Sequence, residues 1–146
     1  MNTPFPPAPL WRRLGAIVYD LMLILSLLFV ASIPVTVIFR ITTASPWYDL
    51  YRGGLFLLCF LYYGWFWTHG GQTLGMKTWG LRLVSTRGKG VSWPQAMLRF
   101  VVAIISWLAL GAGFLWSLLR EDRATWHDLL SDSRIVFERR IRHASA

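Results

Sequence analysis

The chain has 146 residues, of which 55% are hydrophobic, 16% aromatic and only 15% charged, and its mean hydropathy is positive. That balance excludes an ordinary soluble domain and points to one small integral membrane domain. A net charge of +8 would suit nucleic acid in a soluble protein; here the basic residues gather at the ends of apolar runs, where they orient a chain in a lipid bilayer, so nucleic acid is not expected as a partner.

Residues 1–11, with Pro4, Pro6, Pro7 and Pro9, lack periodicity and read as a Pro-rich leader ending in Trp11, an interface anchor. A membrane domain over residues 12–138 follows, and then a basic tail, residues 139–146. Arg12 and Arg13 precede the first apolar run, residues 14–39. This run exceeds the roughly 7–15 residues of a signal-peptide core and lacks a convincing cleavage site, so it reads as a retained span. Pro34 predicts a bend or an end near its far side. A loop with Arg40, Asp49 and Arg52 carries an aromatic collar of Trp47, Tyr48 and Tyr51. The second span, residues 53–68, closes on a second collar of Tyr62, Tyr63, Trp65 and Trp67. Cys59 lies inside this run as a small hydrophobe, with no second cysteine to pair with.

Between His69 and Pro94 there are four basic residues, Lys77, Arg82, Arg87 and Lys89, and no acid. The positive-inside rule places this segment in the cytoplasm, and with it the N-terminus. Residues 73–81 read as a short interfacial helix, residues 82–85 as a strand, and Thr86-Arg87-Gly88-Lys89-Gly90 as a turn. The third apolar stretch, residues 96–119, holds Arg99 near its start and Gly111-Ala112-Gly113 in its middle. A single crossing would put the arginine-rich tail outside. A hairpin broken at the Gly-Ala-Gly returns it to the cytoplasm, with arms of about 11–13 residues, a re-entrant length. The tail resumes with a mixed-charge stretch and a strand over residues 133–138, the natural partner of residues 82–85. The expected fold is therefore an all-α membrane protein: two transmembrane helices, a broken or re-entrant helical hairpin, and a small cytoplasmic β element.

Asp20 stands out because a carboxylate that far inside an apolar run costs roughly 2.5–3.5 kcal/mol and so needs a partner or a use. Arg13, Ala16 and Asp20, at i, i+3 and i+7, share one helix face, with Asp20 about 10 Å deeper than Arg13. The small Ala16 between them admits a close neighbour.

The segment Arg13-Leu14-Gly15-Ala16-Ile17-Val18-Tyr19-Asp20 resembles the first-span pattern of the RDD membrane proteins, a family named for one arginine and two aspartates. Gly71-Gln72-Thr73-Leu74-Gly75-Met76-Lys77 resembles its glycine-glutamine-threonine segment. Met97-Leu98-Arg99 resembles its arginine at the head of the third stretch, and Thr125-Trp126-His127-Asp128-Leu129-Leu130 its second aspartate. The resemblance runs from Leu10 to Phe137, with the motifs in the same order. It implies two or more spans in a bacterial cytoplasmic membrane and a poorly defined activity, for which transport, including cation/proton exchange, has been suggested. Tyr19 departs from the pattern, standing where an aliphatic residue is usual.

The candidate ligand- or ion-binding residues are thus Asp20, Arg13, Arg99 and Asp128. Asp20 reads either as a proton- or cation-binding carboxylate or as half of a structural pair, with Arg99 the first candidate partner. For Arg13, snorkelling to headgroups outweighs ligand binding. For Asp128, a capping or turn role outweighs a proton relay with His127 titrating near neutrality. The segment from Gly71 to Lys77 lacks P-loop spacing and reads as a turn. His69, His127 and His143 show no metal-ligand spacing and no nucleophile motif is present, so no enzyme, metal or cofactor is expected. Two functions remain: a proton or monovalent-cation transporter built as an oligomer, since about two and a half spans scarcely enclose a pathway, or a non-transporting module that binds a protein or lipid partner.

Overall fold

A computed structural model of the chain describes residues 8–86, 90–109 and 125–137. The leader before Ala8, residues 87–89 of the expected turn, the Gly111-Ala112-Gly113 break and the basic tail lie outside them.

Helix α1 (Leu10–Val37) starts directly after Pro9 and therefore includes Trp11, which the sequence reading left in the leader. It runs through Pro34 for most of another turn, because proline removes only the one hydrogen bond to the preceding turn. Arg40, at φ 50°, then turns the chain away. Helix α2 (Tyr48–Thr68) starts earlier than expected, with Asp49 in its first turn beside the positive end of the helix dipole. Several hydroxyls on these helices are satisfied within the helical body. Ser26, Ser32, Thr36 and Thr68 donate to carbonyls one turn back, and Tyr51 donates to Ser32 Oγ at 2.6 Å.

Helix α3 (Leu74–Thr78) is shorter than the expected residues 73–81. Thr73 caps it, accepting from the Met76 N–H at 3.1 Å. Gly80, at φ +65°, ends it, and β1 (Leu81–Ser85) begins at once. Helix α4 (Trp93–Leu108) opens on Ser92, whose N–H donates to Gln95 Oε1 at 3.0 Å. Helix α5 (Trp126–Leu130) and strand β2 (Ser133–Phe137) complete the described chain.

Strands β1 and β2 pair antiparallel, from Leu81 opposite Phe137 to Ser85 opposite Ser133, so the expected small β element is present. The pairing also has a topological consequence. β1 precedes α4 and β2 pairs with β1, so both strands lie near the start of α4.

Helix α4 packs against α2, with Phe100 set edge-on against Phe56 and Phe60, and α2 touches α1 more sparsely. The short elements α3, β1, α5 and β2 gather as a cap at one end, over the start of α1, the end of α2 and the start of α4. The buried apolar core sits under this cap and includes Ala16, Trp67, Met76, Leu81, Leu83 and Phe100. On α1 the buried residues are Arg13, Ala16, Asp20 and Ile24, one helical stripe. The outward faces are apolar: Met22 is 65% exposed, Phe29 70% and Leu108 79%. Among the described residues, α1 alone is long and apolar enough by length and composition to cross a membrane, and α4 is a shorter apolar helix.

Candidate functional site

Asp20 is 3% exposed and accepts three hydrogen bonds from neutral groups. Thr73 Oγ1 donates to Oδ2 at 2.5 Å, the Gly75 N–H to Oδ1 at 2.9 Å, and the Tyr62 hydroxyl to Oδ1 at 3.1 Å. Two of these donors come from the N-terminal turn of α3, where backbone N–H groups have no partner inside the helix. The geometry requires glycine at 75: a side chain there would run into the Ala16 carbonyl and stand 2.8 Å from Asp20 Cγ. One carboxylate therefore joins α1, α2 and α3.

Asp128, 2% exposed, makes the second junction. Arg13 Nη1 donates to its Oδ2 at 3.0 Å and Arg99 Nη1 to its Oδ1 at 2.7 Å. The Thr125 N–H also donates to Oδ2, at 3.2 Å, so the same carboxylate caps α5. The two arginines extend the junction into β2, where Arg13 Nη2 donates to the Ile135 carbonyl at 3.3 Å and Arg99 Nη1 to Ser133 Oγ at 2.8 Å. Arg99 also lies over the Trp67 ring, 5.5 Å from its centroid.

Burial by itself would raise the Asp128 carboxyl. The guanidiniums of Arg99 and Arg13 outweigh it and hold this group well below the usual carboxylate range. Burial also acts on the neighbouring His127, and with the charge of Arg99 beside it the imidazole is pushed down to about 3. At neutral pH the ring is therefore uncharged, in place of the expected imidazole titrating near neutrality.

Both junctions border one cavity of about 210 Å³. Asp20, Thr73, Arg13, Arg99 and His127 line it together with rings such as Trp67 and Phe100. A space of this size admits a small organic molecule or several waters.

Of the four candidate residues, Asp20, Arg13 and Arg99 line the cavity, while Asp128 is bound to the two arginines without lining it, and the pairings differ from expectation. Arg99 is bound to Asp128, and Asp20 is held by neutral donors in its place. Arg13, expected to snorkel outward, is 4% exposed and turned inward onto Asp128, because a buried carboxylate on α5 offers a stronger partner than headgroups. The capping role expected for Asp128 holds and is joined to a double ion pair. Of the second aromatic collar only Trp65, 56% exposed, stays strongly outward; Trp67 is buried and Tyr62 turns to Asp20. Thr73, Gly75, Tyr62 and Ser133 are site residues that sequence reasoning missed. Thr73 carried a usable signal, since a threonine directly before a short apolar helix is a preferred cap. Tyr62 and Ser133 carried none, since only their tertiary neighbours distinguish them from other tyrosines and serines.

The family profile described as the RDD family matches residues 7–132. A relative described as the uncharacterized protein YckC, from Bacillus subtilis (strain 168), is 30% identical over 139 residues, covering 91% of this chain and 86% of its own length. No solved structure matches the chain.

Proposed function

Because the chain belongs to the RDD family, whose motif residues meet here at one cavity, we propose that it is a multi-pass protein of the bacterial cytoplasmic membrane with its N-terminus in the cytoplasm. In this reading it acts as a non-transporting, non-enzymatic module that presents its cap to a protein or lipid partner. Support for the membrane setting comes from the inverted arrangement of side chains, with apolar surface on the outside of α1, α2 and α4 and buried charge at one end. Lys77 on α3 and Arg82 on β1, from the basic, acid-free segment between His69 and Pro94, lie in the cap, which suits the cytoplasmic side.

The observation that carries the module reading is the saturation of both carboxylates. Asp20 has three donors and Asp128 two guanidiniums and an N–H, so each is spent on fastening the cap to the helices. In vesicles reconstituted with the full chain, proton and monovalent-cation fluxes are expected to match those of empty vesicles. Cysteine placed at Ser145 should react with an impermeant reagent from the cytoplasmic side alone.

A second reading rests on one observation: Asp20 borders the cavity and none of its donors carries a charge. On this reading Asp20 binds a proton or monovalent cation within a homo-oligomer, with Arg99 tuning the site across the cavity. A flux present in wild type and abolished by Asp20→Asn would establish it in place of the module.

A further inference from the structure

Residues 72–79, which carry α3, form a loop closed at its base. The Leu83 N–H donates to the Gly71 carbonyl at 2.6 Å, and Gln72 Nε2 donates to the Leu81 carbonyl at 2.7 Å. Glycines with positive φ stand at both ends, Gly71 at +70° and Gly80 at +65°, so the backbone bends sharply on either side of the short helix. Beyond that base the loop packs along α1, with Gly75 close against the Ala16 carbonyl, and its two edges are fastened differently. At one edge Trp79 sits in a notch left by Gly15, edge-on to Trp11 at 5.7 Å, and its carbonyl accepts from Arg12 Nη1 at 3.2 Å. At the other edge are the two bonds from Thr73 and Gly75 to Asp20. Met76 lies between the edges, 5% exposed, and lines the cavity together with Thr73.

We propose that this loop is a flap over the cavity, latched by the Asp20 carboxylate and turning on its Trp79 edge. The two edges differ in chemistry. Trp79 is held chiefly by ring packing, which tolerates rotation. The Asp20 edge is held by directional hydrogen bonds to one carboxyl group, which are lost together once that group is replaced or displaced. Releasing that edge lifts Met76 out of the wall and opens the cavity, with its Arg13–Asp128–Arg99 junction, to the capped end of the molecule. The Tyr62 hydroxyl, the third donor, comes from α2 and lets the latch report on the packing of α1 against α2. The proposal rests on Asp20 as a fastener and is independent of which way the chain faces in a membrane.

The test uses the full chain in detergent micelles, with Cys59→Ala to remove the native thiol and Met76→Cys as the reporter, reacted with a water-soluble maleimide. With Asp20 intact the reporter is expected to be protected. Asp20→Asn should accelerate labelling on the order of tenfold, and Thr73→Val, which removes one bond to the carboxyl group together with the cap on the Met76 N–H, should accelerate it by a smaller factor. Gly75→Ala should accelerate it as well with Asp20 untouched, because its methyl pushes the loop off the Ala16 carbonyl. Rapid labelling with the latch intact would overturn the proposal. So would unchanged protection in Thr73→Val and Gly75→Ala chains that remain monodisperse and helical, and these two decide the matter even where Asp20→Asn does not fold. Flux through Asp20 would defeat the module reading but leave these labelling rates as they are, so the two ideas fail separately.

Discussion

Arg13 and Asp128 lie 115 positions apart in the chain and meet in a buried ion pair of 3.0 Å. The contact ties the start of the first helix to the last helical turn before β2. With Arg99 on the other carboxylate oxygen, it makes the C-terminal segment part of the helical body.

Asp128→Asn removes the counter-charge from two buried guanidiniums at once. Breaking a buried pair by deleting one partner costs about 3–5 kcal/mol, so a large drop in Tm in detergent is expected. Combining Asp128→Asn with Arg99→Met should cost less than the sum of the two single changes, since the second removes a charge the first has stranded. Strict additivity in that cycle would show that the contact is not energetically coupled.

Gly75→Ala and Gly54→Ala should have opposite signs. Alanine in a helix interior is ordinarily favoured over glycine by about 0.8–1.0 kcal/mol, and a Cβ at Gly54 meets nothing within 4 Å, so that variant is expected to hold or raise Tm. At Gly75 the Cβ collides with the Ala16 carbonyl and Asp20, and Tm should fall. Equal responses at the two positions would mean that α3 does not approach α1 as closely as described.

Stability should fall on acidification, for two reasons with separate windows. His127 is pushed down to about 3 from 6.5, so the unfolded chain takes up a proton that the folded one refuses. Its contribution is complete above about pH 6.5 and is lost as pH falls toward 3, at up to about 1.4 kcal/mol per pH unit. The Asp128 carboxyl, lowered from 3.8, contributes fully above its unfolded pKa, and that contribution is lost only below about pH 4. His127→Gln should therefore flatten the profile between about pH 4 and 6.5 and leave the steeper fall beneath it. A wild-type profile already flat down to pH 4 would contradict a buried, neutral His127.

Much of this architecture is legible without coordinates, because it depends on local rules. The i, i+3, i+7 spacing of Arg13, Ala16 and Asp20 fixes a shared face whatever the helix packs against, and that stripe is the buried one. Alternation in residues 82–85 and 133–138 marks two strands that pair as expected. The order of the four motifs is sufficient to assign the family. Which charge meets which is another matter. Asp20 and Asp128 are each complementary to Arg13 and Arg99, and composition treats the pairings alike. The choice was made by three-dimensional placement: α5 brings Asp128 between the two arginines, while the glycine at 75 lets the backbone of α3 come close enough to supply Asp20 with N–H and hydroxyl donors instead. Backbone donors are the same in every residue, so a sequence can show that a buried carboxylate needs partners, while only the packed chain determines that those partners are neutral.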